Sequence, residues 1–250
     1  MIVVITGATS GFGEAMAYTF AKGGYQCILV GRRQERLTAL VTKLEKEFGN
    51  QHLSIALDVQ DKIAVEKVFT QLPETWNKID VLINNAGLAL GRDAFQNADV
   101  QDWETMIDTN VKGLLYVSKA VVPYMIANGK GHIINIGSTA AKEAYAGGSV
   151  YCATKAAVDA ISKAQRIDLL PHAIKVTALH PGAADTEFSQ VRFKGNTAIA
   201  AKVYEGFTPL YAQDVADIAW YVANLPAHVC INDLVVTCTA QANSVTLFKQ

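Results

Sequence analysis

Tyr151 and Lys155 stand four residues apart in the run Tyr151-Cys152-Ala153-Thr154-Lys155. That spacing puts a phenol and an ammonium on one face if the segment is helical. A cation so placed stabilises phenolate and draws a pKa of about 10 towards neutrality, where the group can exchange a proton with a substrate oxygen. Amphipathic helices produce the same pair freely, so alone it says little. Ser138 adds weight. It closes an apolar run read as a strand over 131–138, at the end of a parallel sheet where ligands bind, and its hydroxyl can polarise a carbonyl. The chemistry these residues share is proton transfer at a carbonyl or an alcohol. Cys152 points about 100° away from Tyr151 and reads as a packed thiol. No G-x-S-x-G elbow surrounds Ser138 to suggest a hydrolase. His180 reads as a strand-end packing residue, and His132 and Trp103 read as structural. The four cysteines, Cys27, Cys152, Cys230 and Cys238, have no metal-site spacing with the five histidines, so no metal is expected and free thiols are.

A second cluster sits near the N-terminus. The first apolar run is followed by Thr6-Gly7-Ala8-Thr9-Ser10-Gly11-Phe12-Gly13 and then by a helix-like stretch. Glycines there let backbone N–H groups and a helix start approach a phosphate. The spacing is G-x-x-x-G-x-G rather than G-x-G-x-x-G, but its place between first strand and first helix favours a dinucleotide site. At the end of the second strand, where an acid would bind a ribose 2′-hydroxyl, the chain has Gly31-Arg32-Arg33. Two guanidinium groups suit a 2′-phosphate, and NADP(H) is the cofactor expected.

The elements that must position these residues follow from hydropathy. Apolar, β-branched runs predict strands near 2–6, 26–31, 53–58, 80–84, 131–138, 174–179 and 233–238, separated by helical segments. Such alternation is that of a doubly wound α/β sheet with parallel strands buried on both faces. No linker or repeat divides the 250 residues, so one domain over 1–250 is expected, with an irregular substrate lid at about 182–210. Half the residues are hydrophobic, and 22 Lys+Arg against 23 Asp+Glu leave a formal net charge of −1. This balance excludes a disordered chain and offers no footprint for nucleic acid or an acidic membrane. Neither a secretory signal nor a membrane span is read, so a cytoplasmic protein is expected.

Together, the Thr6–Gly13 run, Asp58-Val59, Asn84-Asn85-Ala86-Gly87, Asn110, Ser138, Tyr151 with Lys155, and Pro181-Gly182 with Thr186 resemble the short-chain dehydrogenase/reductase family over almost the whole chain. The resemblance implies a Rossmann fold with a seven-stranded parallel sheet. It assigns proton transfer to Tyr151 and makes Lys155 lower the Tyr151 pKa and hold the nicotinamide ribose. Ser138 orients the carbonyl and Asn110 supports a water-linked proton relay. Gly7, Thr9, Ser10, Gly11, Phe12 and Gly13 would form the phosphate loop. Asp58 and Val59 would border the adenine, Asn85, Ala86 and Gly87 the adjoining ribose, and Pro181, Gly182 and Thr186 the nicotinamide. A homotetramer is expected from the same resemblance, and from apolar residues on more than one face of the helical segments 100–127 and 151–170.

Longer runs resemble two bacterial groups, the NADP-dependent 3-hydroxy acid (serine and allo-threonine) dehydrogenases and the sulfoacetaldehyde reductases. They include Gly31-Arg-Arg-Gln-Glu-Arg-Leu37, Asp102-Trp-Glu-Thr-Met-Ile-Asp-Thr-Asn110 and Thr186-Glu-Phe-Ser-Gln-Val-Arg-Phe-Lys-Gly195. Both groups handle a short carbonyl or alcohol near an anion, so the pocket needs a cation. Arg192 in the lid is the choice over Lys194, because a guanidinium can grip a carboxylate or sulfonate with two bonds. Gln241 would donate a further bond if the C-terminal tail folds over the pocket. Positions 92–98 and 140–144 differ from the 3-hydroxy acid pattern, which tilts the reading to sulfoacetaldehyde reduction, with 3-hydroxy acid oxidation as the alternative. A non-catalytic NADP(H) sensor would not need Tyr151, Lys155 and Ser138 together, and a purely structural oligomer would need neither site.

Overall fold

All seven apolar runs form one parallel sheet in the computed structural model, which describes residues 1–250. In chain order the elements are β1 (Ile2–Thr6), α1 (Gly11–Lys22), β2 (Gln26–Gly31), α2 (Gln34–Phe48), β3 (Leu53–Ala56), α3 (Lys62–Thr70), β4 (Ile79–Asn84), α4 (Val100–Ile107), α5 (Leu114–Ala127), β5 (Gly131–Ile136), α6 (Ser149–Leu169), β6 (Ile174–Pro181), β7 (Ala184–Asp185), α7 (Glu187–Arg192), α8 (Thr197–Lys202), β8 (Leu210–Tyr211), α9 (Ala212–Ala223) and β9 (Asp233–Val236). The sheet order is β3-β2-β1-β4-β5-β6-β9. Strand side chains alternate between two cores, as a period of two requires. Val3, Ile5, Cys27, Leu29, Val81 and Ile83 meet α1, α2 and α9 on one face. Ile2, Val4, Ile28, Val30, Ile79 and Leu82 meet α3 and α5 on the other. This is the doubly wound Rossmann arrangement, in a single domain. The strand order reverses between β1 and β4, and the crevice at the carboxyl ends of those strands is where such sheets bind ligands.

Element ends depart from the sequence reading for local reasons. β5 stops at Ile136, two residues early, because Ser138 caps a short helical turn over Thr139–Ala141, its hydroxyl accepting from the Ala140 N–H at 3.1 Å. β6 runs on to Pro181 because β9 pairs with it as far as Val236. The helical stretch over 100–127 is interrupted by a π turn at Asp108–Gly113, which carries Asn110; such turns recur at functional sites. The segment 182–210 is irregular only in part. It folds as β7 and β8, paired in parallel, enclosing α7 and α8. The side chains of Thr186 and Asn196 cap the two helices by accepting from the N–H groups of Phe188 and Ile199, so each short helix starts from a satisfied end.

Candidate active site

One cleft of about 890 Å³ runs along the carboxyl ends of the strands from Arg32 and Arg33 to Arg192 and Gln241. Its floor begins at the loop after β1. Gly7 has φ +66, a conformation that favours glycine, and a Cβ on Gly13 would lie 2.2 Å from the Gly7 carbonyl oxygen. The loop is tied to the end of β4: Thr6 Oγ1 accepts from the Asn85 and Ala86 N–H groups, and Asn85 Nδ2 donates to Thr6 O at 2.8 Å. Asn85 thus lines the cleft, but its amide holds the loop. The result is a backbone concavity at the start of α1, suited to an anion.

Arg33 is braced against this loop. Its guanidinium donates to the hydroxyls of Thr9 and Ser10 at 2.9 Å each, and to Glu187 Oε2 at 3.2 Å. Arg36 donates to Glu187 Oε1 at 2.9 Å. These two ion pairs hold Glu187 below the usual carboxylate range despite the opposing pull of burial. Arg32 is more exposed and lies 3.8 Å from Asp58. The segment 182–210 and the Arg32–Arg33 end of the cleft are therefore in contact through Glu187, a link that spacing alone does not show. Arg36 was legible only as the residue one helical turn beyond Arg33. Phe12, Gly11, Val59 and Thr186 line the same cleft.

At the other end, Ser138, Tyr151 and Lys155 converge on the cleft. Tyr151 and Lys155 are buried on α6, and Lys155 Nζ lies 5.9 Å from the Tyr151 ring centre while donating to Ile136 O at 2.9 Å. Asn110 Nδ2 donates to Leu88 O and to Thr154 Oγ1, and its Oδ1 accepts from the Leu88 N–H. The Asn110 side chain is thereby committed to scaffold. A Cβ on Gly87 would come 3.2 Å from Asn110 Oδ1 and 3.4 Å from Lys155 Nζ, so glycine keeps the space between them open.

Burial governs both titrating groups. It lowers Lys155 to about 8. It pushes the Tyr151 phenol above its ordinary 10, with Tyr145 adding to the push and Ser138 and Arg192 opposing it. Desolvation thus disfavours phenolate more than the neighbouring donors favour it. A phenol kept protonated is equipped to give a proton.

Arg192, at the end of α7, faces Tyr151. Its guanidinium carbon lies 5.6 Å from the Tyr151 ring centre and 5.5 Å from that of Tyr145. Nε donates to Gly91 O at 3.2 Å and Nη1 to the Tyr145 hydroxyl at 3.0 Å, while Nη2 is buried without a partner. Lys194, by contrast, is exposed and paired with Asp102 at 2.9 Å. Gln241 does reach the cleft, since the tail folds against the lid, but its Oε1 accepts from the Ala183 N–H at 2.7 Å and its Nε2 donates to Asn243 O. It fastens the tail beside Gly182, and one Nε2 hydrogen is left beyond the bond to Asn243 O. Cys152 and His132 are buried, and all four cysteines are free.

Residues 1–197 match the family model described as short chain dehydrogenase. The chain belongs to the short-chain dehydrogenase family. It is therefore an oxidoreductase acting on hydroxyl groups and their carbonyl counterparts. It is 52% identical over 233 residues to the NADP-dependent 3-hydroxy acid dehydrogenase YdfG of Salmonella typhi, covering 93% of this chain and 92% of that protein. It is 48% identical over 242 residues to sulfoacetaldehyde reductase 2 of Chromohalobacter salexigens, covering 96% and 95%. Among solved structures it is similar to the closed form of a serine dehydrogenase in complex with NADP+, with a TM-score of 0.93 and 47% identity over the full length of both chains. No helix is long and apolar enough to cross a membrane.

Proposed function

We propose that this short-chain dehydrogenase is an NADPH-dependent reductase of small aldehydes or oxo acids that carry an anion two or three atoms from the carbonyl, with sulfoacetaldehyde, reduced to isethionate, as the preferred substrate. The observation that carries this reading is the buried, unpartnered Nη2 of Arg192 beside Tyr151. A buried guanidinium hydrogen without an acceptor is costly, and a sulfonate or carboxylate oxygen would satisfy it with a charge-assisted bond. Hydroxy acids are thereby the second reading, and the 52% identity to a 3-hydroxy acid dehydrogenase favours it specifically.

The residues divide the work as follows. The loop Gly7–Gly13, Arg32 and Arg33 hold the cofactor's phosphates, Asp58 and Val59 border its adenine, and Asn85, Ala86 and Gly87 border the adjoining ribose. Pro181, Gly182 and Thr186 border the nicotinamide, and NADPH when bound supplies the hydride. Ser138 donates to the carbonyl oxygen and polarises it. Tyr151 gives its proton to that oxygen as the carbon accepts the hydride, so the product is a neutral alcohol. Lys155 holds the nicotinamide ribose and its charge compensates the emerging phenolate. Asn110, on the π turn, supports the water-linked relay that returns a proton to Tyr151. The enzyme acts as a homotetramer; exposed Val100, Ile107, Leu115, Ile126 and Ile167 on α4, α5 and α6 are the apolar surface such an assembly would cover.

The test is a screen of sulfoacetaldehyde, malonic semialdehyde, serine, 3-hydroxybutyrate and uncharged propanal with both NADPH/NADP+ and NADH/NAD+. The expected order by kcat/KM has sulfoacetaldehyde first and propanal last. Propanal reduced as efficiently as the anionic aldehydes would overturn the proposal.

A further inference from the structure

His180 is fully buried in β6, and its two ring nitrogens face different things. Nδ1 meets the main chain of Ser138, 3.3 Å from its nitrogen and 3.1 Å from its oxygen. The contact is tight: a Cβ on the intervening Gly137 would lie 2.2 Å from Nδ1. Nε2 has no hydrogen-bond partner but lies 3.4 Å from Asp159 Oδ1, on α6, and 3.5 Å from Asp233 Oδ1, at the start of β9. Lys142, just past the turn that Ser138 caps, places Nζ 3.1 Å from Asp159 Oδ1 and 2.5 Å from Asp233 Oδ2. Lys163 takes the other Asp159 oxygen at 2.7 Å. Two carboxylates and an imidazole have the composition of a metal site, but the Lys142 and Lys163 ammoniums together already neutralise the two acids. What the cluster leaves undecided is only where the imidazole proton sits.

Carboxylate oxygens beside Nε2 favour the tautomer with hydrogen on Nε2, which leaves a lone pair on Nδ1 facing the Ser138 N–H. Burial disfavours the imidazolium, Lys142 adds to that, and Asp233, the Ser138 main chain and Asp159 oppose it, with the net effect downward from 6.5. Protonation would put hydrogen on Nδ1 as well, so that Nδ1 would donate to Ser138 O at 3.1 Å and no longer accept from the Ser138 N–H. We propose that neutral His180 is a positioning residue, which accepts the Ser138 N–H and so fixes the Ser138 hydroxyl where the carbonyl oxygen docks, with Lys142, Asp159 and Asp233 setting its proton state. This rests on the reading of Ser138 as the group that orients the carbonyl.

Two measurements test it. First, S138A, H180F, H180N and the S138A/H180F double variant are compared with the fastest-reduced aldehyde of the screen, NADPH binding being followed by fluorescence. H180F should lower kcat at least about tenfold, short of the roughly 10²–10³-fold loss when an oxyanion donor is removed outright, with NADPH Kd unchanged. H180N, whose side-chain oxygen falls near Nδ1, should recover most of the loss. The double variant should be no worse than S138A, because a residue acting through Ser138 has nothing left to position. Second, nitrogen NMR of histidine-labelled protein should find His180 neutral and protonated on Nε2 at pH 7, which needs no substituted histidine to fold. K142M should move its titration towards neutral pH, and the acid limb of kcat should move with it. Additive losses in the double variant, a proton on Nδ1, or an acid limb that stays put while His180 shifts would overturn the proposal. Unchanged kcat in S138A would instead refute the active-site reading, and the role of His180 with it.

Discussion

Substituting Arg192 by alanine separates its two jobs if a charged and an uncharged aldehyde are assayed side by side. Its Nε and Nη1 are bonded to Gly91 O and the Tyr145 hydroxyl, and its Nη2, buried without a partner, is the nitrogen proposed to meet the substrate anion. A hydrogen bond to a charged group contributes about 1.5–3 kcal/mol, so loss of the Nη2 contact should cost sulfoacetaldehyde roughly 10- to 150-fold in kcat/KM, mostly as KM. Loss of the brace is felt by every substrate, because it loosens α7 over the cleft. The informative quantity is therefore the ratio of kcat/KM for sulfoacetaldehyde to that for propanal, which should fall by at least about tenfold in R192A. Arg192→Lys keeps the charge but offers one ammonium for three acceptors, so it should fall between wild type and alanine.

The same substitution carries a pH signature. Arg192 is one of the groups that draw the Tyr151 phenol downward against burial. Reduction needs the protonated phenol and declines as pH rises through its pKa. Removing Arg192 withdraws that pull but also lets water reach the phenol, whose rise is due first to burial, so the alkaline decline should shift alike for both aldehydes. An equal proportional loss on the two substrates would refute the anion contact and leave Arg192 as a strut of the lid.

Tyr151→Phe should keep NADPH binding and lower kcat roughly 10²–10⁴-fold; fluorescence titration and steady-state rates check both halves. Arg32→Ala should raise KM for NADPH at least about tenfold and leave NADH nearly unchanged. Arg33→Ala should weaken both cofactors, because Arg33 also braces Thr9, Ser10 and Glu187. His132, buried and pushed down to about 3, binds its proton only on unfolding as pH falls below 6.5. Stability should therefore drop by about 2 kcal/mol from pH 8 to pH 5 on this account, a slope that urea titrations should find missing in His132→Leu. Light scattering at micromolar concentration should give a tetramer mass, and a monomer would remove the proposed assembly.

The parts of this enzyme that sequence makes legible are those whose cause is local. Strands announce themselves because both faces of the sheet are covered, so Ile2–Thr6 and Gln26–Gly31 read as unbroken apolar runs. The turn after β1 shows in its glycines, and the loss of an acid at Gly31 shows in a single position. Contacts between distant segments leave no such trace. Glu187 meets Arg33 and Arg36 across more than 150 residues, and nothing in either segment's composition requires the other. Nor does the composition of the tail show that Gln241 Oε1 accepts from the Ala183 N–H.

Tyr151 shows what the spacing of a motif leaves out. Spacing on a helix places Lys155 beside the phenol and argues for a lowered pKa. Spacing does not see that Ile136 O accepts the ammonium's hydrogen bond or that both side chains are buried. Desolvation acts on each group separately, against charge in both, and it moves Lys155 down and Tyr151 up. Lys155, at about 8, still carries its charge at pH 7, while Tyr151 keeps its proton. That favours an acid that keeps its proton until the substrate oxygen has gained negative charge to receive it, which is the demand reduction makes.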